Sequence, residues 1–483
     1  MPNSLSSKVS SGLLWSAVRS WGSRLSSLAV FLVLSRLLTP YEFGLFAAAT
    51  VIFLFFELFV DQGLSDALVQ TNELNDELVN AVFWLNIVFS FIVFFTVYLS
   101  APYLAQKMKM PDLSQIIRYG SLSILINSTA LCQQALYRRE FKYKMLAVRS
   151  LIASLVSGIF GCVFAFYGFG AYSLLIQFLI LSTINATYVW YYPIWRPTLH
   201  LDVKPAFKLL GFSISVFLTK LLDFISQKSI DIFIGYALGA VSLGLYSVGA
   251  RLYLILMQML SSVVLDVALS GFSRLSSQLD KLASAYVSAL KISSAVAFPI
   301  FVFLSATASL VIPLFFGDKW SESSYVFSAL SLLGAVQVLQ FYNGSCLNAL
   351  GKSNLTLVTV CFKILFAFIS LFFFSSAGLE KLIMAFVIGQ LLAAPISFYF
   401  GLSRLKLKLL LVVKTIFPFM LASALMWLGC YFIVKHFETT HKILVLLLTM
   451  VTSFIIYFTS LFTLFNKDFH YLLFLLKNKF KVA

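Results

Sequence analysis

The amino-acid sequence predicts an all-α membrane protein that crosses a bilayer about fourteen times. Hydrophobic residues make up 60% of the 483 positions and charged residues only 11%, whereas a typical soluble domain is about 45–50% apolar and about 25% charged. The apolar residues form long runs, and a helix needs about 20 mainly apolar residues to cross the hydrocarbon core. The length and continuity of the runs exclude the short alternating strands of a membrane barrel.

Fourteen apolar runs follow one another, separated by proline, glycine or charged residues. The first six are expected near 11–37, 42–62, 79–101, 115–137, 147–168 and 170–194. The other eight are expected near 207–237, 240–269, 284–315, 323–349, 355–376, 381–403, 410–434 and 443–465. The basic segment 466–483 carries an apolar stripe and is expected either to lie along the inner membrane surface or to form a frayed tail.

The distribution of Lys and Arg orients these spans. With a cytoplasmic N-terminus, the inside segments contain 20 basic residues and the outside segments contain 8. Because cytoplasmic loops are enriched in Lys and Arg, both termini are predicted to be cytoplasmic. Two loops depart from the rule, since 63–78 is inside without a basic residue and 102–114 is basic but outside. The N-terminus lacks the pattern of a removable signal peptide, so the first span is expected to be retained.

The chain also repeats itself at a spacing of 200 residues. YEFGLF at 41–46 corresponds to VSLGLY at 241–246, and Asp66 corresponds to Asp266. The repeat predicts two six-helix lobes followed by two extra helices, at 1–195, 205–403 and 410–465. In transporters built from such repeats, the substrate site lies between the lobes near the middle of the membrane.

Several charged residues fall inside the apolar runs, where each costs roughly 2.5–3.5 kcal/mol at the helix centre. The basic ones are Arg19, Arg24, Lys220, Lys228, Arg251, Lys291 and Lys363, and the acidic ones include Glu57, Asp223 and Asp231. Such residues are expected to face a wet cavity or one another, because lipid cannot solvate them.

Arg19 and Arg24 share one side of the first span with serines, since residues advance by about 100° along a helix. The first span of the second lobe has a similar polar face, and we expect both faces to line a central cavity. Glu57 on the next helix is an alternative partner for one arginine. Arginine has a permanent charge and a planar donor fork suited to phosphate, so the predicted ligand is anionic, such as a phosphorylated lipid head.

A purely structural explanation applies to the charges of the seventh span. Lys220 with Asp223 and Lys228 with Asp231 are three residues apart, and side chains at this spacing are neighbours on a helix. Pairing within the helix and a functional role in the cavity are equally good interpretations of these residues.

No enzyme or nucleic-acid signature accompanies these features. LGKSN at 350–354 lacks the P-loop glycine because position 346 is cysteine. The sequence has no GxSxG or HExxH motif, and its five cysteines show no CxxC spacing. Basic inner loops explain the net charge of +16 without nucleic acid. We therefore expect no enzyme activity, no cofactor, no metal site and no nucleic-acid partner.

Six segments in order carry a family resemblance that spans nearly the whole chain. They are RLLTPYEFGLFA (36–47), DQGLSDALVQ (61–70), ALYRREFKYKMLA (135–147), SIDIFIGYALGAVSLGLYSVGARL (229–252), LFFGDKW (314–320) and LNALGKSNL (347–355). Together they resemble the Wzx-type polysaccharide flippases, especially the subgroup with the colanic acid and teichuronic acid exporters. That group belongs to the multidrug/oligosaccharidyl-lipid/polysaccharide superfamily. The resemblance implies a MATE-like fold, with two six-helix lobes around a V-shaped central cavity and often two added helices.

The resemblance also implies a function, which is to move an oligosaccharide repeat unit on undecaprenyl pyrophosphate to the outer leaflet of the bacterial plasma (inner) membrane. The residues expected to hold the pyrophosphate are Arg19, Arg24, Lys220, Lys228 and Arg251. The candidate sites for a coupled proton or Na⁺ are Glu57, Asp223 and Asp231. Rocking of the lobes would alternate access to the cavity. The expected partners are the lipid-linked oligosaccharide, membrane lipids, the polysaccharide polymerase and other assembly proteins.

Two other functions fit parts of the sequence. A multidrug cation antiporter of the same superfamily usually has an acidic cavity, whereas the charges within these spans are net basic. A membrane-embedded glycan polymerase or ligase needs large outer loops, and the outer loops here are short.

Overall fold

The computed structural model describes Gly22 and residues 25–199, 202–437 and 441–470, with the side chains of 262–267 left out. Within these ranges the regular structure is helical, and no strand is present. The expected amphipathic tail is described only as far as residue 470, where 466–470 form a helical turn.

The helices follow the order of the apolar runs. The first part of the chain forms α1 (Leu25–Leu37), α2 (Pro40–Asp61), α3 (Leu64–Gln70), α4 (Asp76–Lys107), α5 (Leu113–Gly120), α6 (Leu122–Arg139), α7 (Tyr143–Phe166), α8 (Ala171–Tyr191) and α9 (Lys204–Phe207). The long element α10 (Leu210–Leu275) is interrupted at Gly239, where φ is 83°. The rest forms α11 (Leu279–Ala306), α12 (Ala308–Phe316), a 3₁₀ turn (Asp318–Trp320), α13 (Ser323–Ala349), α14 (Ser353–Phe374), α15 (Leu379–Arg404), α16 (Leu409–His436) and α17 (Lys442–Leu464).

Within the described residues, eleven helices are long and apolar enough to cross a membrane. This confirms the all-helical class for the described residues, with eleven candidate membrane spans. Three features separate this count from fourteen. The element α10 covers two expected spans, α1 is described over only Leu25–Leu37, and the expected span 115–137 is divided between α5 and α6 at Ser121. The count of fourteen therefore stays a prediction.

The start and end of α2 follow from local sequence signals. Thr39 caps the helix, because its Oγ1 accepts the N–H of Glu42 and its own N–H donates to Glu42 Oε2 at 2.7 Å. Pro40 occupies the first turn, where its fixed φ and missing N–H cost nothing. Gln62 and Gly63 then end the helix with positive φ angles of 47° and 77°, which glycine adopts without strain. This turn leads directly into α3.

The chain divides into two compact units, Met1–Ser247 and Val248–Ala483, and the division falls within α10. In the first unit α2 packs against α4, α5, α6 and α8, and α7 packs against α8. In the second unit α11 packs against α13 and α16, α14 against α15, and α16 against α17. The lobe boundaries expected from the repeat, at 1–195, 205–403 and 410–465, stay a prediction.

The order of helices repeats along the chain. A long helix, a short helix and another long helix occur as α4, α5 and α6 and again as α11, α12 and α13, and each series is followed by two further long helices. The corresponding elements begin about 200 residues apart, in agreement with the spacing of the repeated hexapeptides.

The two hexapeptides meet within the first unit. A Cβ atom added to Gly44 would lie 1.7 Å from the carbonyl oxygen of Ala240, and one added to Gly244 would lie 1.8 Å from that of Pro40. The two contacts are therefore related by the same 200-residue spacing. Small residues allow membrane helices to approach this closely, so the crossing requires glycine at both positions.

A buried chain of hydrogen bonds joins three helices of the second unit. The hydroxyl of Tyr286 in α11 donates to Oδ1 of Asn343 in α13, and Asn343 Nδ2 donates to Oγ of Ser397 in α15 at 3.0 Å. All three residues are buried. These hydrogen bonds satisfy the polar groups of the three side chains at a place where neither water nor lipid would do so.

Candidate functional site

A polar cavity of about 300 Å³ lies in the first unit. Its lining comes from the end of α2, the start of α3, the last turns of α6, the start of α7 and the third turn of α10. The lining residues are Asp61, Ser65, Leu131, Gln134, Arg138, Leu146, Arg149 and Lys220. Three cations and one carboxylate therefore face a space enclosed by helices that are otherwise apolar. We call this space the polar cavity.

Lys220 joins α10 to the turn between α2 and α3. Its Nζ lies 2.7 Å from Oδ2 of Asp61 and 2.6 Å from Oδ2 of Asp66. Asp61 Oδ1 also accepts the backbone N–H of Ser65 at 3.1 Å, which holds the carboxylate against the first turn of α3. One ammonium group thus ties together two carboxylates that the chain places five residues apart.

Arg138 approaches the same carboxylate from α6. Its Nη1 donates to Oδ1 of Asp66 at 3.0 Å. Burial raises the pKa of Asp66. The charges and hydrogen bonds of Lys220 and Arg138 together lower this pKa by a larger amount, so the net pKa lies below the usual value. Asp66 is therefore ionised at neutral pH.

Arg139 fixes the position of α3 relative to α6. Its Nη1 donates to the carbonyl oxygens of Leu68, Val69 and Thr71 at 3.0, 3.2 and 2.6 Å. These carbonyls belong to the last turn of α3, where helical partners are missing. This cap holds the α2–α3 turn, and with it the two carboxylates, in place beside α6.

Two further polar residues of the cavity, Arg149 and Ser65, are buried, whereas Gln134 is partly exposed. Arg149 has a relative exposure of 8% and Ser65 of 3%. Among the described residues, the hydroxyl of Ser65 has no hydrogen-bond partner. Such a buried hydroxyl is costly unless a ligand or water bonds to it. The cavity therefore combines buried groups (Arg149 and Ser65) with Arg138 and Lys220, whose side chains are 39% and 36% exposed.

Of the site residues predicted from the sequence, only Lys220 lines the polar cavity among the described residues. Arg19 and Arg24 lie outside the described residues. Lys220 reaches the polar cavity and pairs with Asp61 and Asp66, so its partner is not Asp223. Asp223 itself is exposed.

Three further predicted residues of the first unit, Lys228, Asp231 and Glu57, contact polar side chains outside the polar cavity. Lys228 Nζ lies 3.5 Å from Oδ1 of Asp231, which is the pairing along the helix that the three-residue spacing allows. Glu57 Oε1 accepts a hydrogen bond from Asn127 Nδ2 at 2.6 Å. Arg251 belongs to the second unit and is half-buried. The predicted binding and ion-coupling roles of these residues stay predictions.

Five polar residues of the polar cavity are absent from the candidate set drawn from the sequence. They are Asp61, Ser65, Gln134, Arg138 and Arg149. Two signals point to Asp61, Ser65 and Arg138 in hindsight. DQGLSD at 61–66 puts two carboxylates on either side of a glycine turn, and ALYRRE at 135–140 is basic at the end of an apolar run. Periodicity alone misses them, because they sit at helix ends from distant parts of the chain.

The second unit contains a cavity of the opposite character. It has a volume of about 450 Å³ and lies among α11, α13 and α16. Its lining is apolar and aromatic, and consists of Phe298, Val302, Leu332, Ala335, Met420, Ala424, Trp427 and Leu428. None of these eight described residues is charged.

Comparison with known proteins decides the family. The sequence profile of the family described as polysaccharide biosynthesis protein matches residues 33–325. The chain belongs to this family. A membrane protein in the cps region of Klebsiella pneumoniae is 25% identical over 410 residues, covering 82% of this chain and 83% of that protein. The lipopolysaccharide biosynthesis protein WzxC of Escherichia coli is 22% identical over 400 residues, covering 82% and 81%.

Solved structures agree on the fold of this family member. The lipid II flippase MurJ in an inward closed conformation matches with a TM-score of 0.75 at 16% identity, covering 94% of this chain and 99% of that chain. An inward-facing multidrug resistance MATE transporter of the MOP superfamily matches with a TM-score of 0.57 at 17% identity, covering 80% and 94%. The MATE-like fold expected from the sequence is therefore confirmed for this member of the polysaccharide biosynthesis family.

Proposed function

We propose that this protein moves a lipid-linked oligosaccharide, carried on undecaprenyl pyrophosphate, from the cytoplasmic to the outer leaflet of the bacterial plasma membrane. It does so by alternating access and carries out no enzymatic step. The observation that carries the proposal is the polar cavity, in which three cations face a space enclosed by membrane helices. Burying charge in a membrane protein is expensive and is usually retained for a function. An anionic headgroup attached to an apolar tail matches this combination.

The binding residues in this proposal include those drawn from the sequence. Arg19 and Arg24 hold the pyrophosphate within the central cavity, together with Lys220, Lys228 or Arg251. The apolar tail stays in the bilayer while the sugars occupy the cavity. The polysaccharide polymerase then consumes the product on the outer side. Both termini of the chain are cytoplasmic, and tags at the two ends should show the same accessibility.

A coupled ion provides a driving force in one version of the mechanism. Glu57, Asp223 and Asp231 are the candidate proton or Na⁺ sites. Moving one charge through a membrane potential of 100 mV is worth about 2.3 kcal/mol, which is enough to bias release. Glu57 accepts a hydrogen bond from Asn127 Nδ2 at 2.6 Å. Trapping by downstream polymerisation would drive the same step without an ion.

The decisive experiment locates the lipid-linked repeat units after the gene is deleted. Loss of a flippase leaves single repeats on the inner leaflet, where an impermeant reagent cannot reach them. Loss of a polymerase leaves single repeats accessible on the outer leaflet and would refute the proposal. Resistance to organic cations on expression, with normal polysaccharide export in the deletion strain, would instead indicate a multidrug antiporter.

The arginines are tested in the complemented deletion strain. Arg19→Ala combined with Arg24→Ala should abolish export while the protein stays in the membrane, because the pyrophosphate loses two permanent charges. The corresponding lysine changes keep the charge and should be milder. Normal export by the double alanine variant would remove these arginines from the mechanism and leave the flippase proposal to the leaflet experiment.

A further inference from the structure

We propose that the polar cavity is a phosphoryl-binding site in which the ligand's oxyanions replace Asp61 and Asp66 as the partners of Lys220 and Arg138. The residues of the site come from α2, α3, α6, α7 and α10. As a site for transported cargo it rests on the proposed flippase function. The chemistry that it recognises is a phosphate or diphosphate group.

The first argument is the balance of charge. Arg138, Arg149 and Lys220 face the cavity, whereas Asp61 is the one carboxylate among the lining residues. Asp66 is not one of the lining residues, but it contacts Lys220 and Arg138. Even with both carboxylates ionised, the group carries one positive charge in excess. An anion that enters this space is therefore attracted by the excess positive charge, although water screens Lys220 and Arg138, whose side chains are 36% and 39% exposed.

The second argument is the supply of unused donors. A guanidinium has five N–H donors and an ammonium has three. Arg138 donates one hydrogen bond to Asp66, and Lys220 directs its ammonium at Asp61 and Asp66. The hydroxyl of Ser65 is buried without a partner among the described residues. A diphosphate presents many acceptor oxygens, so it can use the remaining donors that two carboxylates leave unfilled.

The third argument is size. A volume of about 300 Å³ corresponds to roughly ten water molecules at about 30 Å³ each. That space is large enough for a phosphate or diphosphate group. The polar cavity therefore matches the size of a headgroup.

Exchange of partners also has a mechanical consequence within the first unit. Lys220 is the polar link between α10 and the α2–α3 turn. Next to it, Phe59 packs on Phe217 with ring centroids 5.3 Å apart, an apolar contact that no anion disturbs. When an oxyanion takes Lys220 from the carboxylates, α10 stays packed against α2 but loses its ionic tie. Binding of the headgroup is thereby signalled to α10.

A purely structural ion cluster predicts the opposite response to loss of a carboxylate. If Asp66 only holds the fold together, Asp66→Asn weakens every property of the site. If Asp66 competes with the ligand for Lys220 and Arg138, Asp66→Asn frees both cations and tightens binding. The sign of the change in affinity therefore separates the two explanations.

The experiment measures binding to the full-length protein in phosphatidylcholine nanodiscs. The probes are geranylgeranyl diphosphate, inorganic diphosphate and the uncharged alcohol geranylgeraniol. Arg149→Gln and Lys220→Gln should each weaken diphosphate binding by about tenfold or more, since each removes a charged hydrogen-bond donor. Asp66→Asn should tighten it, and Lys220→Arg should retain it. Lys142→Gln is the matched control, because Lys142 is a cation paired with Glu140 outside the cavity.

The two diphosphates distinguish the source of the ligand. Preference for geranylgeranyl diphosphate supports a lipid headgroup site, and equal binding of inorganic diphosphate supports a site for a free phosphoryl anion. Binding of geranylgeraniol as tight as its diphosphate would overturn the proposal. Unchanged affinity in both Arg149→Gln and Lys220→Gln, or weaker binding in a folded Asp66→Asn protein, would overturn it too. Neither result affects the leaflet experiment, so this inference and the flippase function fail separately.

Discussion

Replacing Gly44 by alanine tests the packing of the repeated hexapeptides. The added Cβ would lie 1.7 Å from the carbonyl oxygen of Ala240, whereas ordinary contact begins at 3.4 Å. The neighbouring atom is backbone and cannot rotate away, so α2 and α10 must separate by about 1.7 Å at this point. Gly244→Ala requires almost the same separation, because its Cβ would lie 1.8 Å from the carbonyl oxygen of Pro40.

The cost follows from the close packing that this separation disrupts. Forcing an extra carbon into a well-packed contact costs about 1–3 kcal/mol, and Leu45 and Leu243 beside the crossing are fully buried. Each single variant should lose stability by an amount in this range. In the double variant the helices have already moved apart for the first methyl group. Its loss should therefore be smaller than the sum of the single losses by about 0.5 kcal/mol or more.

The assay is reversible unfolding of the purified protein in mixed micelles, monitored by tryptophan fluorescence. Gly211→Ala is the matched control, since Gly211 lies in α10 and a Cβ there meets nothing within 4 Å. Alanine at that position should be neutral or slightly stabilising. The reasoning is refuted if Gly44→Ala is as stable as Gly211→Ala, or if the losses at Gly44 and Gly244 are strictly additive.

Two further predictions concern buried polar groups. Lys220 and Arg138 hold the pKa of Asp66 below its usual value. The ion pairs of Asp66 therefore stabilise the protein above about pH 4, and this stabilisation is lost as the pH falls through the lowered pKa. Asp66→Asn should lower the melting temperature at pH 7 and flatten the decline of the melting temperature below pH 4, and an unchanged acid profile would contradict this. In the second unit, a double-mutant cycle of Tyr286→Phe with Asn343→Leu should give a coupling energy of about 0.6 kcal/mol, the average for hydrogen bonds between membrane helices, and at most about 1.7 kcal/mol. A coupling energy of zero would contradict the buried hydrogen bond.

Hydrophobic run length predicts most of the fold, because lipid demands internally bonded helices of a set length. The helix from Ser323 to Ala349 has the predicted bounds of 323–349. Run length does not show every helix interruption. The interruption of α10 at Gly239 falls in the gap between the expected spans 207–237 and 240–269, but the break at Ser121 divides a single expected span. Apolar composition does not encode the backbone angles that produce the break at Ser121.

The candidate site is less predictable than the fold for a physical reason. A charge in an apolar run is conspicuous, so Lys220 is found from the sequence alone. A charge at a helix end looks like an ordinary loop residue, so Arg138 and Asp61 are indistinguishable from solvated side chains. Only packing of α6 and α10 against the α2–α3 turn reveals that these residues share one enclosed space.

The sequence by itself determined that this protein is a helical membrane protein, and it also revealed the internal repeat and the family resemblance. Each of these properties is written in composition, run length or residue order, which do not depend on which helices touch. Only the tertiary structure decided which ions pair. Lys220 has Asp223 three residues away on its own helix, yet its ammonium binds Asp61 and Asp66. Which carboxylate pairs with Lys220 depends on the direction of its side chain and on the burial of both groups. These properties arise from the packing of several helices, not from residue spacing along one helix.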